Sequence, residues 1–159
     1  MKIIGITDED FLQYSEPSML IAMPFCTGKC WKELSLDCSI CQNNALREAT
    51  TIEVEATELI DRYDKNDITT AVVFGGLEPM DSFSDLCEFI FEFRKNHDDT
   101  VVIYSGYTEE ELNYKISMLK AYKNIVIKVG RYIPNSKRRF DPVLGVELAS
   151  ENQYAIKIS

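Results

Sequence analysis

Apolar residues in this chain alternate between short continuous runs and longer stretches with helical spacing. Ser18-Met-Leu-Ile-Ala-Met23 reads as a buried strand stopped by Pro24, which has no N–H to give a sheet ladder. Leu59, Ile60 and Tyr63 recur at helical spacing over residues 55–63, and Asp67 then marks a turn. Thr69 to Phe74 is a second apolar run and predicts a strand buried on both faces. Beyond it, Asp81 or Ser82 can cap a helix whose inward face is Phe83, Leu86, Cys87 and Ile90, at i, i+3, i+4 and i+7. Thr100 to Tyr104 predicts the next strand. Thr108 and Glu111 have the spacing of a capping box, with Leu112, Ile116 and Leu119 as the buried stripe behind it. Asn124 to Val129 returns to strand, the loosely alternating tail over 147–158 predicts a final strand, and residues 45–49 predict a short helix.

Strand, helix, strand, helix is the order of βαβ units around a parallel sheet. The fold class expected is therefore α/β, with four to five βα units. A closed eight-stranded barrel needs about 250 residues, so a chain of 159 residues is expected to form only an open partial (β/α) barrel with a mainly parallel sheet. No repeat or Pro/Gly/Ser-rich linker interrupts the sequence, and one domain over 1–159 is expected.

Charge narrows the function. With 17 basic against 26 acidic residues the net charge is −9, which argues against a nucleic-acid surface, because phosphate binding needs a basic footprint. The short basic run Lys137-Arg138-Arg139 is expected to be a solvated loop, with contact to an anionic ligand or partner as the alternative. No run approaches the roughly 20 apolar residues of a membrane span, and Met1 to Ile6 is too short for a signal peptide, so a cytoplasmic location is expected.

In that compartment clustered cysteines point to metal or redox chemistry rather than disulfides. Four of the five cysteines, Cys26, Cys30, Cys38 and Cys41, fall within sixteen residues, directly after the first apolar run. Thiolates suit zinc and iron–sulfur clusters. All four could close a structural zinc site or hold an electron-transfer cluster; alternatively three could hold a 4Fe-4S cluster and leave one iron open. The fifth, Cys87, belongs to a helix face and is expected in the core. His97 stands alone in a polar segment, which excludes multi-histidine metal sites; solvated surface is expected for it.

Cys26-x-x-x-Cys30, with Cys41-Gln42-Asn43 as the closing element, resembles the cluster loop of the radical S-adenosylmethionine enzymes, and in particular the activases of anaerobic ribonucleotide reductase. About eight residues are inserted from Trp31 onward, so Glu33 stands where that family has its third cysteine. Cys41 is taken as the third ligand, Cys38 as the alternative, and a Cys30, Cys38, Cys41 set is a further possibility. Gly75-Gly-Leu-Glu-Pro79 is similar to the family's GGEP element with one residue inserted. Tyr104-Ser-Gly-Tyr-Thr108, Val129-Gly-Arg131 and Ser150-x-Asn152-Gln153 resemble the activases' TGYT, DGR and SxNQ segments. Glycines at the end of a strand let a ligand approach the backbone where parallel sheets bind ligands, a logic independent of the resemblance.

The resemblance implies a 4Fe-4S cluster and S-adenosylmethionine as cofactors, with Gly75, Gly76, Glu78, Pro79, Ser105 and Ile40 around the latter. It implies reductive cleavage to methionine and a 5′-deoxyadenosyl radical, which installs a glycyl radical on an anaerobic ribonucleoside-triphosphate reductase. A flavodoxin- or ferredoxin-type protein would supply the electron. A small radical enzyme acting on a metabolite, or a four-cysteine zinc or electron-transfer domain, are the competing expectations.

Overall fold

The computed structural model describes residues 1–159. Its strands are β1 Lys2–Ile3, β2 Gly5–Asp10, β3 Ser18–Met23, β4 Ile52–Glu53, β5 Ala71–Gly76, β6 Thr100–Tyr104, β7 Ile125–Val129, β8 Arg139–Asp141, β9 Val146–Leu148 and β10 Tyr154–Lys157. The α-helices are α1 Lys29–Lys32, α2 Ala56–Asp64, α3 Phe83–Phe93 and α4 Glu109–Leu119, with short 3₁₀ turns at Cys38–Ile40, Asn44–Glu48 and Pro79–Ser82. The fold is α/β, built on a mixed six-stranded sheet in the order β10-β7-β6-β5-β3-β2.

The four central strands are parallel, and β2 and β10 close the edges antiparallel. Three crossovers carry a long helix, α2, α3 and α4, where four or five units were expected. The shortfall lies in the tail: after β7 the chain makes the hairpin β8–β9 and returns antiparallel through β10, so no helix is needed to reverse direction. The edge strand β2, with the polar sequence Gly-Ile-Thr-Asp-Glu-Asp, has no apolar pattern and was not predicted.

Period-2 alternation gives the sheet two different faces. Met19, Ile21, Met23, Val72, Phe74, Val101, Ile103, Ile125, Ile127 and Val129 face the helices and form the main core. In α3 the buried face is Leu86, Phe89, Ile90 and Phe93, with Phe83 and Cys87 packed at its margin. Burying such side chains contributes roughly 1.5–3 kcal/mol each, which outweighs the modest helix propensity of phenylalanine. The capping box is present: Thr108 Oγ1 accepts from Glu111 N–H, and Glu111 Oε2 accepts from Thr108 N–H. His97 is not a solvated residue. Its ring stacks on Phe93 with centroids 4.6 Å apart, because the chain turns back over that ring as α3 ends.

The opposite face carries a small cluster, Val73, Val102, Val126, Leu144, Leu148 and Ala155, under the β8–β9 hairpin. Buried Asp141 fixes the hairpin by accepting from the N–H groups of Val143, Leu144 and Ala155. No helix is long and apolar enough to cross a membrane.

Candidate metal centre

Where the hairpin stops covering this second face, a cavity of about 590 Å³ opens over the C-terminal ends of the parallel strands. Its floor is Leu20, Ala22, Val73, Gly75, Tyr104 and Lys128, the residues that alternate away from the helices. Cys26, Cys30 and Cys41 line it, together with Gly76, Glu78, Ser105 and Gly106. Cys38 does not, and neither do Ile40 and Pro79. The turn Cys38–Ile40 is held by Asp37, whose carboxylate accepts from Ser39 N–H at 2.9 Å, and Pro79 is buried at the start of the next turn.

Local chemistry places each thiol. Pro24 ends β3, and the loop that follows is tied to the β5 side by Asp81, which accepts from Thr27 N–H at 2.8 Å and from the Tyr107 hydroxyl at 2.6 Å. Cys26 Sγ accepts from Gly28 N–H at 3.3 Å. Burial pushes the Cys26 thiol pKa up, more than that contact lowers it. Cys30 lies against Gly106; a Cβ there would stand 2.9 Å from its sulfur. Cys41 is brought in by its neighbour Asn43, whose side-chain amide donates to the carbonyl of Gly76. The Gln-Asn segment after Cys41 thus docks on the glycine pair 33 residues further along the chain.

Glu33 belongs to a clasp. Arg131, after β7, donates to Glu33 Oε2 at 2.9 Å and Oε1 at 2.8 Å, and to Glu111 Oε1 at 2.8 Å; Lys29 adds a contact to Glu111 at 2.8 Å. The inserted segment is therefore pinned to α4 and the end of β7. Arg131 holds the Glu111 carboxyl down to about 2. The carboxyl binds its proton more weakly in the folded chain, so this contribution is complete above its ordinary value of 4.5 and is lost as pH falls towards 2. Arg131→Ala is expected to cost about 1–2 kcal/mol at pH 7 after solvent screening and to flatten the acid limb of stability between those values. Chemical denaturation across pH checks it; an unchanged acid limb would refute the clasp.

The closing Ser-x-Asn-Gln segment is structural too. Ser150 Oγ accepts from Ile133 N–H, Asn152 donates to the Arg131 carbonyl, and Gln153 donates to that of Gly130. It holds the chain leaving β7 against the cavity wall.

Glu78 is 5 % exposed, and its two oxygens accept from the N–H groups of Met80, at 3.1 Å, and Gly106, at 2.7 Å. Burial raises its pKa to about 7 against these contacts. Ser105 is buried, and its N–H donates to the Lys128 carbonyl at 2.8 Å. Two basic residues also line the cavity. Arg138, from the basic run, stands at the wall and reaches Glu147 at 3.9 Å with both side chains exposed. Lys128 lies at the floor, 6 % exposed. Sequence reasoning passed over Lys128, although a lysine inside Ile-Val-Ile-Lys-Val is a signal: an apolar strand admits a cation only where something receives it.

The donor set suits an iron–sulfur cluster better than a single ion. Nowhere do three cysteine, histidine or acidic side chains converge as a tetrahedral zinc requires. A cubic cluster asks for less, since each thiolate binds a different iron, and Cys26, Cys30 and Cys41 all line the one cavity. Glycine at 75 and 106 leaves the cavity room beside them.

Against models of protein families, residues 28–154 match the 4Fe-4S single cluster domain. No curated protein and no solved structure matches the chain.

Proposed function

The chain belongs to the 4Fe-4S single cluster domain family, and from that premise we propose that it is a radical S-adenosylmethionine activase acting on an anaerobic ribonucleoside-triphosphate reductase. Domains of this family are found in radical S-adenosylmethionine-associated activases. The observation that carries the reading is the division of the thiols: Cys26, Cys30 and Cys41 share one cavity with Gly75 and Gly76, and Cys38 lies outside it. Three ligands on four irons leave one iron for a second ligand.

In this reading the six-stranded sheet is an open partial (β/α) barrel: α2, α3 and α4 pack on one face and the cavity occupies the other. Cys26, Cys30 and Cys41 would hold the cluster, which when reduced would supply the electron for reductive cleavage of S-adenosylmethionine. The chain's own residues bind, orient and shield. Gly75 and Gly76 allow the ligand to approach the backbone at the end of β5, and Ser105 and Glu78 border the same space. Met80 and Gly106 occupy one lone pair on each Glu78 oxygen, leaving capacity to receive an amine. The reductase would present its glycine to the open side of the cavity, and a flavodoxin- or ferredoxin-type donor would supply the electron. The chain contributes positioning and water exclusion around borrowed chemistry.

Anaerobic reconstitution with iron and sulfide, followed by electron paramagnetic resonance of the dithionite-reduced protein, tests the reading. Addition of S-adenosylmethionine is expected to change the spectrum. A cluster whose signal ignores S-adenosylmethionine at saturating concentration would defeat the activase reading while leaving the cluster in place.

A further inference from the structure

Lys128 extends from β7 to the floor of the cavity, and its Nζ donates to the carbonyls of Ser105 at 3.2 Å and Gly130 at 3.1 Å. Those contacts use two of its three N–H groups and neutralise no charge. The buried carboxylate that lines the cavity, Glu78, is turned to the backbone N–H groups of Met80 and Gly106. A buried ammonium without a bonded counter-charge is costly. Burial lowers its pKa only to about 8. The geometry sets it near a cluster thiol: Lys128 Nζ holds the carbonyl of Ser105, and Cys30 lies against the next residue, Gly106.

We propose that Lys128 is a positioning residue for charge, whose fixed ammonium beside Cys30 stabilises the reduced form of the cluster held by Cys26, Cys30 and Cys41. The inference rests on the cluster assignment above and not on S-adenosylmethionine. Reduction adds one electron from an external one-electron donor and transfers no atom, so the cluster and its thiolates become one charge more negative. A cation at close range in a poorly solvated floor favours that state, and net charge near a cluster is one of the factors that set its potential.

The test is a redox titration of the reconstituted protein, with dithionite as reductant and no S-adenosylmethionine, on wild type, Lys128→Gln and Lys128→Arg. Glutamine keeps amide donors for the two carbonyls and removes the charge. It is expected to lower the equilibrium constant for reduction about tenfold, which for one electron is about 59 mV, while arginine stays within about threefold of wild type. An unchanged or raised potential in Lys128→Gln at equal iron content overturns the proposal. Should that variant bind no cluster, Lys128→Met is titrated instead; if it too is folded by circular dichroism and binds none, Lys128 is needed for assembly and the proposal falls. A wild-type protein that takes up no cluster removes this inference and the activase reading together. One whose cluster ignores S-adenosylmethionine removes only the latter.

Discussion

Alanine at Cys26, Cys30 or Cys41 is expected to abolish 4Fe-4S assembly, and alanine at Cys38 to leave it nearly intact. Each of the first three lines the same cavity, and no other cysteine lies there to replace it. Cys38 sits on a turn capped by Asp37, with its sulfur 4.0 Å from that carboxylate, a poor setting for a second anionic ligand. Iron and acid-labile sulfide per chain, with the visible absorption of the reconstituted protein, read the result. Loss of the cluster in Cys38→Ala as complete as in Cys41→Ala would show that both thiols are required and would close the coordination site on which the activase reading depends. Because metal binding adds its free energy to folding, the three cluster-free variants should also melt at the temperature of the unreconstituted wild type.

Gly76→Val should be the most damaging single change outside the cysteines. Gly76 has φ +80°, in the left-handed region, and a Cβ there would stand 2.8 Å from Met23 N and 2.9 Å from Ala22 Cα. Those are backbone atoms of β3, the strand paired with β5, and they cannot rotate aside. Left-handed backbone costs a β-branched residue about 1–2 kcal/mol or more, and displacing the paired strand adds to it, so a loss of about 3–5 kcal/mol is expected. For a domain of this size that corresponds to a fall in melting temperature of roughly 6–20 °C. The same shift would move the carbonyl that receives Asn43, so cluster assembly should weaken even in protein that remains folded. A Gly76→Val protein that melts within a degree of wild type would mean that the end of β5 is not packed as described.

Most of the sheet was legible in one dimension. Ser18–Met23, Thr100–Tyr104 and the core of β5 and β7 are continuous apolar runs because helices cover one face and the hairpin and cavity cover the other. The capping box and the α3 face were equally plain, since both depend on contacts within four residues. The edge strands were harder: β2 offers a single apolar residue, Ile6, and β10 shows only that it is extended, not that it runs antiparallel to β7. His97 was misjudged for a related reason. Polarity suggests solvent, yet it stacks on Phe93 through a contact that only folding creates.

By itself the sequence determined that this chain is α/β, that its second apolar run is covered on both faces and that its clustered thiols suit a soft metal, because apolar period and thiol spacing are local properties. Only the tertiary structure decided how those thiols are sorted. Asn43 reaching Gly76 draws Cys41 to the cavity, Arg131 gripping Glu33 fixes the inserted segment beside it, and Cys38 is left outside. Only it placed Lys128 on the carbonyl of Ser105, next to the Gly106 against which Cys30 lies, since such neighbours arise from the register of parallel strands and the loops that leave their ends. Spacing limits which ligands can meet; packing selects among them.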